Sequence, residues 1–296
     1  MAVPFLKKNK LFLMLPYIIM DYTTSQNKKT ISHEMYTKIF RDYDLPYRER
    51  PSFSLKKEPL DYLSKSNVES MIDINQIDSI ICCYETYQMS DITKISPAPL
   101  RIKEEIGANS LAFSIGDKGA LSPLHALEWA QLVGKSVLLI CLEHQIIEPK
   151  QFSNGLFPKR DACALSCFNY EQGDFEVLYY DYKSVYHDKN RDIEKVLAKE
   201  LSTLVEYSLQ LIGLNLQEVC IIPQMVGSEF LTQMHKRFKN VIYKDGKVNL
   251  STADSLYSLT EGILNNQCQF PYITLCFADT RGVGFILLSN AKYQAL

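Results

Sequence analysis

Short apolar runs alternate along the chain with segments in which apolar residues recur at helical spacing. This alternation is typical of α/β proteins, in which strands and helices follow one another. The turn signal EQGD at 171–174 separates two series of similar length. The first series predicts strands at 11–19, 77–85, 111–115, 136–143 and 162–168 and helices at 32–42, 60–72 and 120–133; the second predicts strands at 175–182, 218–223, 271–277 and 282–289 and helices at 191–212, 226–238 and 252–264.

The two series predict a duplicated α/β unit rather than one open sheet. We therefore expect an N-terminal half at residues 1–172 and a C-terminal half at residues 173–296. The runs IDSIICCYE and SVLLICLE are nearly continuous in apolar residues, which is typical of strands covered by helices on both faces. The predicted fold class is α/β with a helix–sheet–helix layering.

Composition and charge narrow the possible functions. The chain has 296 residues, of which 46% are hydrophobic, so it can bury a large core. The formal net charge is −2, and positive and negative residues are mixed along the chain. This balance gives no electrostatic argument for a nucleic acid or a membrane surface as a partner.

The N-terminus imitates a targeting signal, because KKNK at 7–10 precedes the apolar run LFLMLPYIIM. No small-residue cleavage site follows that run. Ten apolar residues that include Pro16 are too few to span a bilayer. The pattern therefore favours a buried first strand in a cytoplasmic protein over a targeting signal.

The eight cysteines are scattered. None of them forms a CxxC motif, and no Cys/His group has the spacing of zinc ligands. This usage is typical of buried, reduced thiols in a cytoplasmic protein. We expect no metal site and no cofactor.

Taken singly, the reactive residues predict no catalytic group. His125 lies one helical turn before Glu128, but a lone helical histidine is more often structural than catalytic. Cys163 and Cys167 lie on one face of a predicted strand without a visible base, so structural burial is favoured. The glycines at 281–284 precede a strand, which favours a hairpin turn over a phosphate-binding loop.

Several stretches, taken in order over roughly 75–288, resemble the thiolase fold and, within it, the β-ketoacyl-acyl-carrier-protein synthase III family. The resemblance depends on their order and spacing rather than on any single stretch. The stretches are IDINQIDSIICCYET, EEIGANSLAFSIGDKGALSPLHAL, VLLICLE, KRDACAL, LVEYSLQLIGLNLQEVCIIPQ, KVNLSTADSLYSL and YITLCFADTRGVGFILL.

The resemblance implies three active-site positions. In the family, a cysteine at a helix N-terminus is acylated, because the helix dipole and backbone N–H groups favour its thiolate. A histidine and an asparagine then stabilise the thioester oxyanion. These positions fall on Gly119, Gln224 and Asn249. Glycine supplies no nucleophile, and glutamine donates hydrogen bonds without cycling a proton. The resemblance therefore implies a catalytically degenerate member with no catalytic residues of its own.

The resemblance also implies an interface. In thiolase-fold dimers the strand before the nucleophile pairs across the two-fold axis, and here that strand is LAFSI at 111–115. The predicted interface residues are Leu111, Phe113 and Ile115.

Other parts of the family pattern are reduced. VLLICLE resembles the strand that ends in Glu143, and KRDACAL keeps only Asp161 of a glycine-rich turn. The coenzyme A loop is suggested only by DLPYRER, around Arg48 and Arg50.

These features favour a non-catalytic subunit that pairs with an active β-ketoacyl synthase III-like homologue, with acyl carrier protein as a further candidate partner. Such a subunit would stabilise the active synthase and shape its acyl selection. One alternative is an acyltransferase that uses His125 or Cys167, with Gln224 and Asn249 as an oxyanion site. Another is a homodimeric protein that binds an acyl ligand.

Overall fold

The computed structural model describes residues 10–19, 63, 65–84, 98–116, 118–143, 162–186, 192–244, 248–290 and 293. The strands are β1 Phe12–Leu13, β2 Tyr17–Ile19, β3 Ser79–Cys83, β4 Leu111–Ile115, β5 Val137–Glu143, β6 Ala162–Asn169, β7 Phe175–Ser184, β8 Val219–Pro223, β9 Tyr272–Asp279 and β10 Gly282–Asn290. The α-helices are α1 Lys65–Glu69, α2 Ala98–Ile106, α3 Ser122–Val133, α4 Ile193–Leu211, α5 Ser228–Arg237 and α6 Asp254–Leu264. Short 3₁₀ turns, Gly119–Leu121 and Ser251–Ala253, lead directly into α3 and α6.

The described strands form one 10-stranded sheet in the order β4-β3-β5-β6-β1-β7-β10-β9-β8, and β2 pairs with β6. β3 runs parallel to β4 and β5, and β8 runs parallel to β9. The remaining strand pairs are antiparallel. β4 lies at one end of this order and β8 at the other.

Three apolar clusters show how the sheet folds around its helices. The outer cluster of the N-terminal strands packs α1 and α2 against one face of β3, β5 and β6. The outer cluster of the C-terminal strands packs α4 and α5 against β8, β9 and β10. The largest cluster places α3 and α6 between the inner faces of both groups of strands. The predicted helix–sheet–helix layering is confirmed, and it occurs twice with a shared middle layer.

The first predicted strand is broken in two. Pro16 lacks an N–H and cannot donate to a β-ladder. The preceding residue, Leu15, donates its N–H to Asp174 Oδ2 at 2.7 Å instead of to a strand. β1 therefore bridges β6 and β7, whereas β2 pairs with β6 alone among the described strands.

One helix prediction needs correction, because the helix expected at 60–72 is shorter, at Lys65–Glu69. The helix expected at 32–42 lies outside the described residues and stays a prediction. α2 was not predicted at all, because Pro99 interrupts its apolar pattern. Proline is nevertheless tolerated in the first turn of a helix, where its missing N–H has no intrahelical partner to lose.

The burial of α3 in the middle layer leads us to expect that two of its leucines contribute very differently to stability. Leu127 is fully buried there, whereas Leu132, five residues later, is 82% exposed. We expect Leu127→Ala to lower the free energy of unfolding by about 3 kcal/mol, because it leaves a cavity between two sheet faces. Leu132→Ala should change it by less than about 0.5 kcal/mol. Urea unfolding followed by circular dichroism measures both, and similar losses would contradict the layering.

Candidate functional site

The turn before α3 starts at Gly119, which is buried and has a φ of 53°. This left-handed conformation favours glycine, because other residues place Cβ against the backbone. Ser122 Oγ donates to the Gly119 carbonyl at 2.7 Å and closes the 3₁₀ turn. Gly119, the residue expected at the family's cysteine position, therefore begins a tight turn at a helix N-terminus.

Asp279 and Arg281 fill the space next to Gly119. Asp279 ends β9, is 1% exposed, and accepts the Ala120 N–H on Oδ2 at 2.8 Å. Arg281 donates Nη1 to the same oxygen at 2.9 Å and its backbone N–H to Oδ1 at 2.6 Å. A Cβ placed on Gly119 would collide with Arg281 Nη1 and Asp279 Oδ2. The turn has no room for a side chain while this pair is in place.

Gln224 and Asn249 lie together in the core. Gln224 follows β8, and its Nε2 donates to Asn249 Oδ1 at 3.3 Å. Gln224 Oε1 accepts the Ala278 N–H at 3.0 Å, and Asn249 Oδ1 also accepts the Ser251 N–H at 2.8 Å. Both side chains are at most 2% exposed. Their amide groups are engaged by each other and by the backbone.

The end of β9 brings the three family positions to one place. Ala278 and Asp279 are consecutive, and the first contacts Gln224 while the second contacts the turn at Gly119. Asn249 joins the group through Gln224. The group has hydrogen-bond donors and acceptors but no thiol or imidazole among these three side chains. Chemically, it can orient amides and a carboxylate, and it supplies no nucleophile at residue 119.

A buried ion pair between Lys244 and Asp254 holds the loops that carry Gln224 and Asn249. Asp254 begins α6 and accepts the Met225 N–H on Oδ1 at 3.0 Å. Its Oδ2 accepts the Leu250 N–H at 2.7 Å and the Lys244 ammonium at 2.5 Å. Met225 follows Gln224 and Leu250 follows Asn249, so one carboxylate sets the spacing of the two loops.

Glu143, at the end of β5, is a second buried carboxylate that accepts a backbone N–H near a helix start. It is fully buried, and its Oε1 accepts the Thr252 backbone N–H at 3.1 Å and the Thr252 hydroxyl at 2.7 Å. This contact joins β5 to the 3₁₀ turn before α6. Burial of the carboxylate is compensated by these donors.

The other candidates from the sequence lie away from this group. His125 Nδ1 lies 2.8 Å from Glu128 Oε2, and Tyr182 donates its hydroxyl to Glu128 Oε1 at 3.1 Å. Cys163 and Cys167 share the outer apolar cluster, on one face of β6 as predicted. Burial raises the pKa of Cys167 to about 12 and also raises that of Cys163. A buried thiol of this kind forms little thiolate at neutral pH. The glycines at 281–284 follow a hairpin turn between β9 and β10, as predicted.

The predicted interface strand β4 has β3 as its sheet neighbour within the described part of the chain. Leu111 is 55% exposed, whereas Phe113 and Ile115 are half-buried. Phe113 packs its ring edge against Trp129 of α3, with ring centroids 5.1 Å apart. Leu111 is therefore the most accessible of the three, and the pairing itself stays a prediction.

Three residues of the family pattern, Asp161, Arg48 and Arg50, lie outside the described residues. Within the described ranges, no His, Cys, Asp and Glu side chains form a group of three or more that could hold a metal. No helix in those ranges is long and apolar enough to cross a membrane.

Sequence reasoning missed the residues that complete the group. The hairpin pattern at 281–284 includes Arg281 without indicating its partner, and no motif marks Asp279, Lys244 or Asp254. The available signal was the placement of two opposite charges, Asp279 and Arg281, at the end of an otherwise apolar strand. Their partner, the turn at Gly119, is about 160 residues away in sequence, so the pattern alone could not connect them.

Comparison with known proteins gives the class of fold. No protein-family model and no curated protein sequence matches the chain. Solved structures do match it over nearly its whole length. The 3-oxoacyl-[acyl-carrier-protein] synthase III of Aquifex aeolicus VF5 is 15% identical, with a TM-score of 0.63, and the alignment covers 95% of this chain and 98% of that chain. The synthase III of Thermus thermophilus is 14% identical with a TM-score of 0.64, and ChlB3, described as an acyltransferase, is 13% identical with a TM-score of 0.64; both alignments cover 95% of this chain and 98% of the other.

These likenesses establish that the chain has the thiolase-like fold predicted from its sequence. At this level of identity they show the fold alone. The activity of the chain depends on its own side chains.

The ion pair below the site gives a stability prediction. Asp254→Asn should lower the free energy of unfolding by about 3–5 kcal/mol, because it leaves the Lys244 ammonium unpaired in the core. Glu206→Gln is the matched control, since it breaks an exposed ion pair with Arg237 and should cost less than about 1 kcal/mol. Equal losses in urea unfolding would show that the buried pair does not hold the two loops.

The thiols give a second prediction, for labelling with iodoacetamide at pH 7.5. A hydrogen bond with the Cys220 thiol lowers the pKa of Cys268, which is only 1% exposed but lines a cavity of about 160 Å³. Burial raises the pKa of Cys276, as it does for Cys163 and Cys167, so these thiols carry less thiolate. We expect peptide mass spectrometry to show Cys268 labelled first in the native protein. Rapid native labelling of Cys167 would contradict its burial.

Proposed function

We propose that this chain is a cytoplasmic, non-catalytic subunit with a synthase III-like fold that pairs with an active synthase homologue. Its role would be to stabilise that synthase and to shape acyl-substrate or chain-length selection in fatty-acid-derived or polyketide biosynthesis. The observation that carries the proposal is Gly119, which stands at the family's cysteine position with Asp279 and Arg281 filling the side-chain space. A turn without a nucleophile or room for one is incompatible with acyl-enzyme chemistry at that position.

The partner is inferred from the edge of the sheet. β4 ends the strand order, and its Leu111 side chain is more than half exposed. A two-fold contact uses equivalent surfaces on both subunits, and a homologue with the same fold presents the equivalent strand. Among the described strands β4 pairs only with β3, and an apolar edge with one neighbour is a risk for aggregation, so a dedicated partner would also cover it. Acyl carrier protein would then deliver substrate to the active partner.

An acyltransferase that does not use a cysteine at position 119 is the second candidate, and the likeness to ChlB3 favours it. Such an enzyme would use Gln224 and Asn249 as oxyanion donors and His125 or Cys167 as base or nucleophile. His125 is engaged with Glu128, and Cys167 is buried with a pKa raised to about 12. We therefore prefer the non-catalytic subunit, and keep a homodimeric acyl-binding protein as an outcome of the test.

Leu111→Asp tests the pairing. The chain would be co-expressed with a synthase III-like homologue that is encoded next to it and keeps its Cys, His and Asn residues. A charge at Leu111 should abolish co-purification and lower the condensation rate of the partner at least tenfold, because an unpaired charge would be buried in the interface. Leu111 is preferred over Phe113, since Phe113 also packs on Trp129 inside the fold.

Leu211→Asp is the matched control. Leu211 is 60% exposed on α4, which packs on the C-terminal strands and not on β4. It should leave both co-purification and the partner's rate unchanged. Circular dichroism must show that both variants are folded. Unchanged pairing with Leu111→Asp would overturn the proposed interface, whereas an acyl adduct on the isolated chain would favour the acyltransferase. A stable homodimer that binds acyl thioester without any partner would favour the acyl-binding protein.

A further inference from the structure

The geometry points to the Asp279 carboxylate as a replacement for a reactive anion at the start of α3. The carboxylate accepts a backbone N–H there, and Arg281 pairs with it and covers the turn. This pair fills the space next to Gly119. Its role as a replacement for a reactive anion rests on the proposed function, whereas the contacts themselves do not depend on pairing with a synthase.

The first step concerns the helix start. The first N–H groups of a helix have no partners within the helix and favour an anion nearby. One of them, the Ala120 N–H, donates to Asp279 Oδ2 at 2.8 Å. The carboxylate is 1% exposed, so it takes this position in place of water or a ligand. The residue that would otherwise supply a negative charge from within the turn is Gly119, which has no side chain.

The second step concerns the compensation of this buried charge. The Arg281 guanidinium lies 2.9 Å from the oxygen that also accepts the Ala120 N–H. The hairpin fixes the arginine, because Asp279 and Gly282 are paired across β9 and β10 and the Arg281 N–H donates to Asp279 Oδ1. The arginine side chain is 42% exposed, so it forms the outer wall of the turn.

The third step separates space from backbone conformation. Gly107, Gly134 and Gly119 all have a left-handed φ, between 53° and 69°. A Cβ on Gly107 or Gly134 would meet nothing within 4 Å. A Cβ on Gly119 would collide with Arg281 Nη1 and Asp279 Oδ2. Two separate features therefore favour glycine at position 119: its left-handed φ and the ion pair that occupies the space of a side chain.

A thermal-unfolding cycle tests the closure. Gly119→Ala should lower Tm by at least about 3 °C more than Gly134→Ala, which carries the backbone strain without the collision. In the Arg281→Ala background, the excess loss caused by Gly119→Ala should shrink, because one of the colliding groups is gone. Equal losses for the two glycine variants, or an excess that Arg281→Ala leaves unchanged, would overturn the closure.

Chemical rescue tests the anion position. Asp279→Ala leaves the Ala120 N–H and Arg281 without their carboxylate, so added sodium acetate should raise the Tm of this variant by a few degrees relative to equal sodium chloride. Acetate should not raise the Tm of the unchanged chain or of Asp279→Ala/Arg281→Ala. The same Tm shift in all three proteins, or no rescue of Asp279→Ala, would overturn the inference.

If Asp279→Ala does not fold, Asp279→Asn replaces it. The amide has the size of the carboxylate but lacks its charge, so the Arg281 guanidinium loses its counter-ion. Asp279→Asn should then lower Tm more than Asp279→Asn/Arg281→Ala does, because the second change removes the unpaired cation. A double variant that is less stable than Asp279→Asn would contradict the pairing of the two charges.

Discussion

Burial of α3 and α6 between two faces of one sheet is the constraint from which the site follows. Both helices begin inside the protein, where N–H groups at helix starts need acceptors other than water. Each start finds a carboxylate at a strand end. Ala120 donates to Asp279 at the end of β9, and Thr252 donates to Glu143 at the end of β5. Each contact joins the two halves of the chain. The start of α3 in the N-terminal half is bonded to β9 of the C-terminal half, and the start of α6 in the C-terminal half is bonded to β5 of the N-terminal half. The candidate site lies where these contacts bring the turns before α3 and α6 next to each other.

Buried polar groups in this region are compensated by partners within the chain. Gln224 is bonded to Asn249, Asp254 to Lys244, and Asp279 to Arg281. Removing one member of such a pair leaves an uncompensated polar group in a region of low dielectric constant, which costs more than the pair contributes. An enzyme site keeps some of these groups available for substrate. Here these groups are bonded to one another, and this supports the proposed non-catalytic function.

The sequence predicted the strands well because each is a short apolar run bounded by turn residues. LAFSI coincides with β4, and the continuous run before Glu143 coincides with β5. It did worse where local chemistry interrupts a pattern, as with Pro99 in α2 and Pro16 between β1 and β2. The closure of the turn could not be predicted, since it depends on a contact between Asp279 and a backbone N–H that is 159 residues away. Periodicity reports which face of an element is buried, but not which distant charge it meets.

The turn at Gly119 lies close in sequence to the edge strand β4. Only three residues separate Ile115, the last residue of β4, from Gly119, and the ring of Tyr84 leaves no space for a side chain at Gly116 between them. A catalytic turn must admit a substrate and tolerate an acylated side chain, so its neighbouring strand has to accommodate small movements. The turn at Gly119 has no side chain at that residue and is bonded to Asp279, which is paired with Arg281. Gly116 and Gly119, on the two sides of position 117, are therefore both packed against side chains of the same chain. If β4 pairs with another strand as proposed, an edge held by such contacts would lose little conformational freedom on pairing.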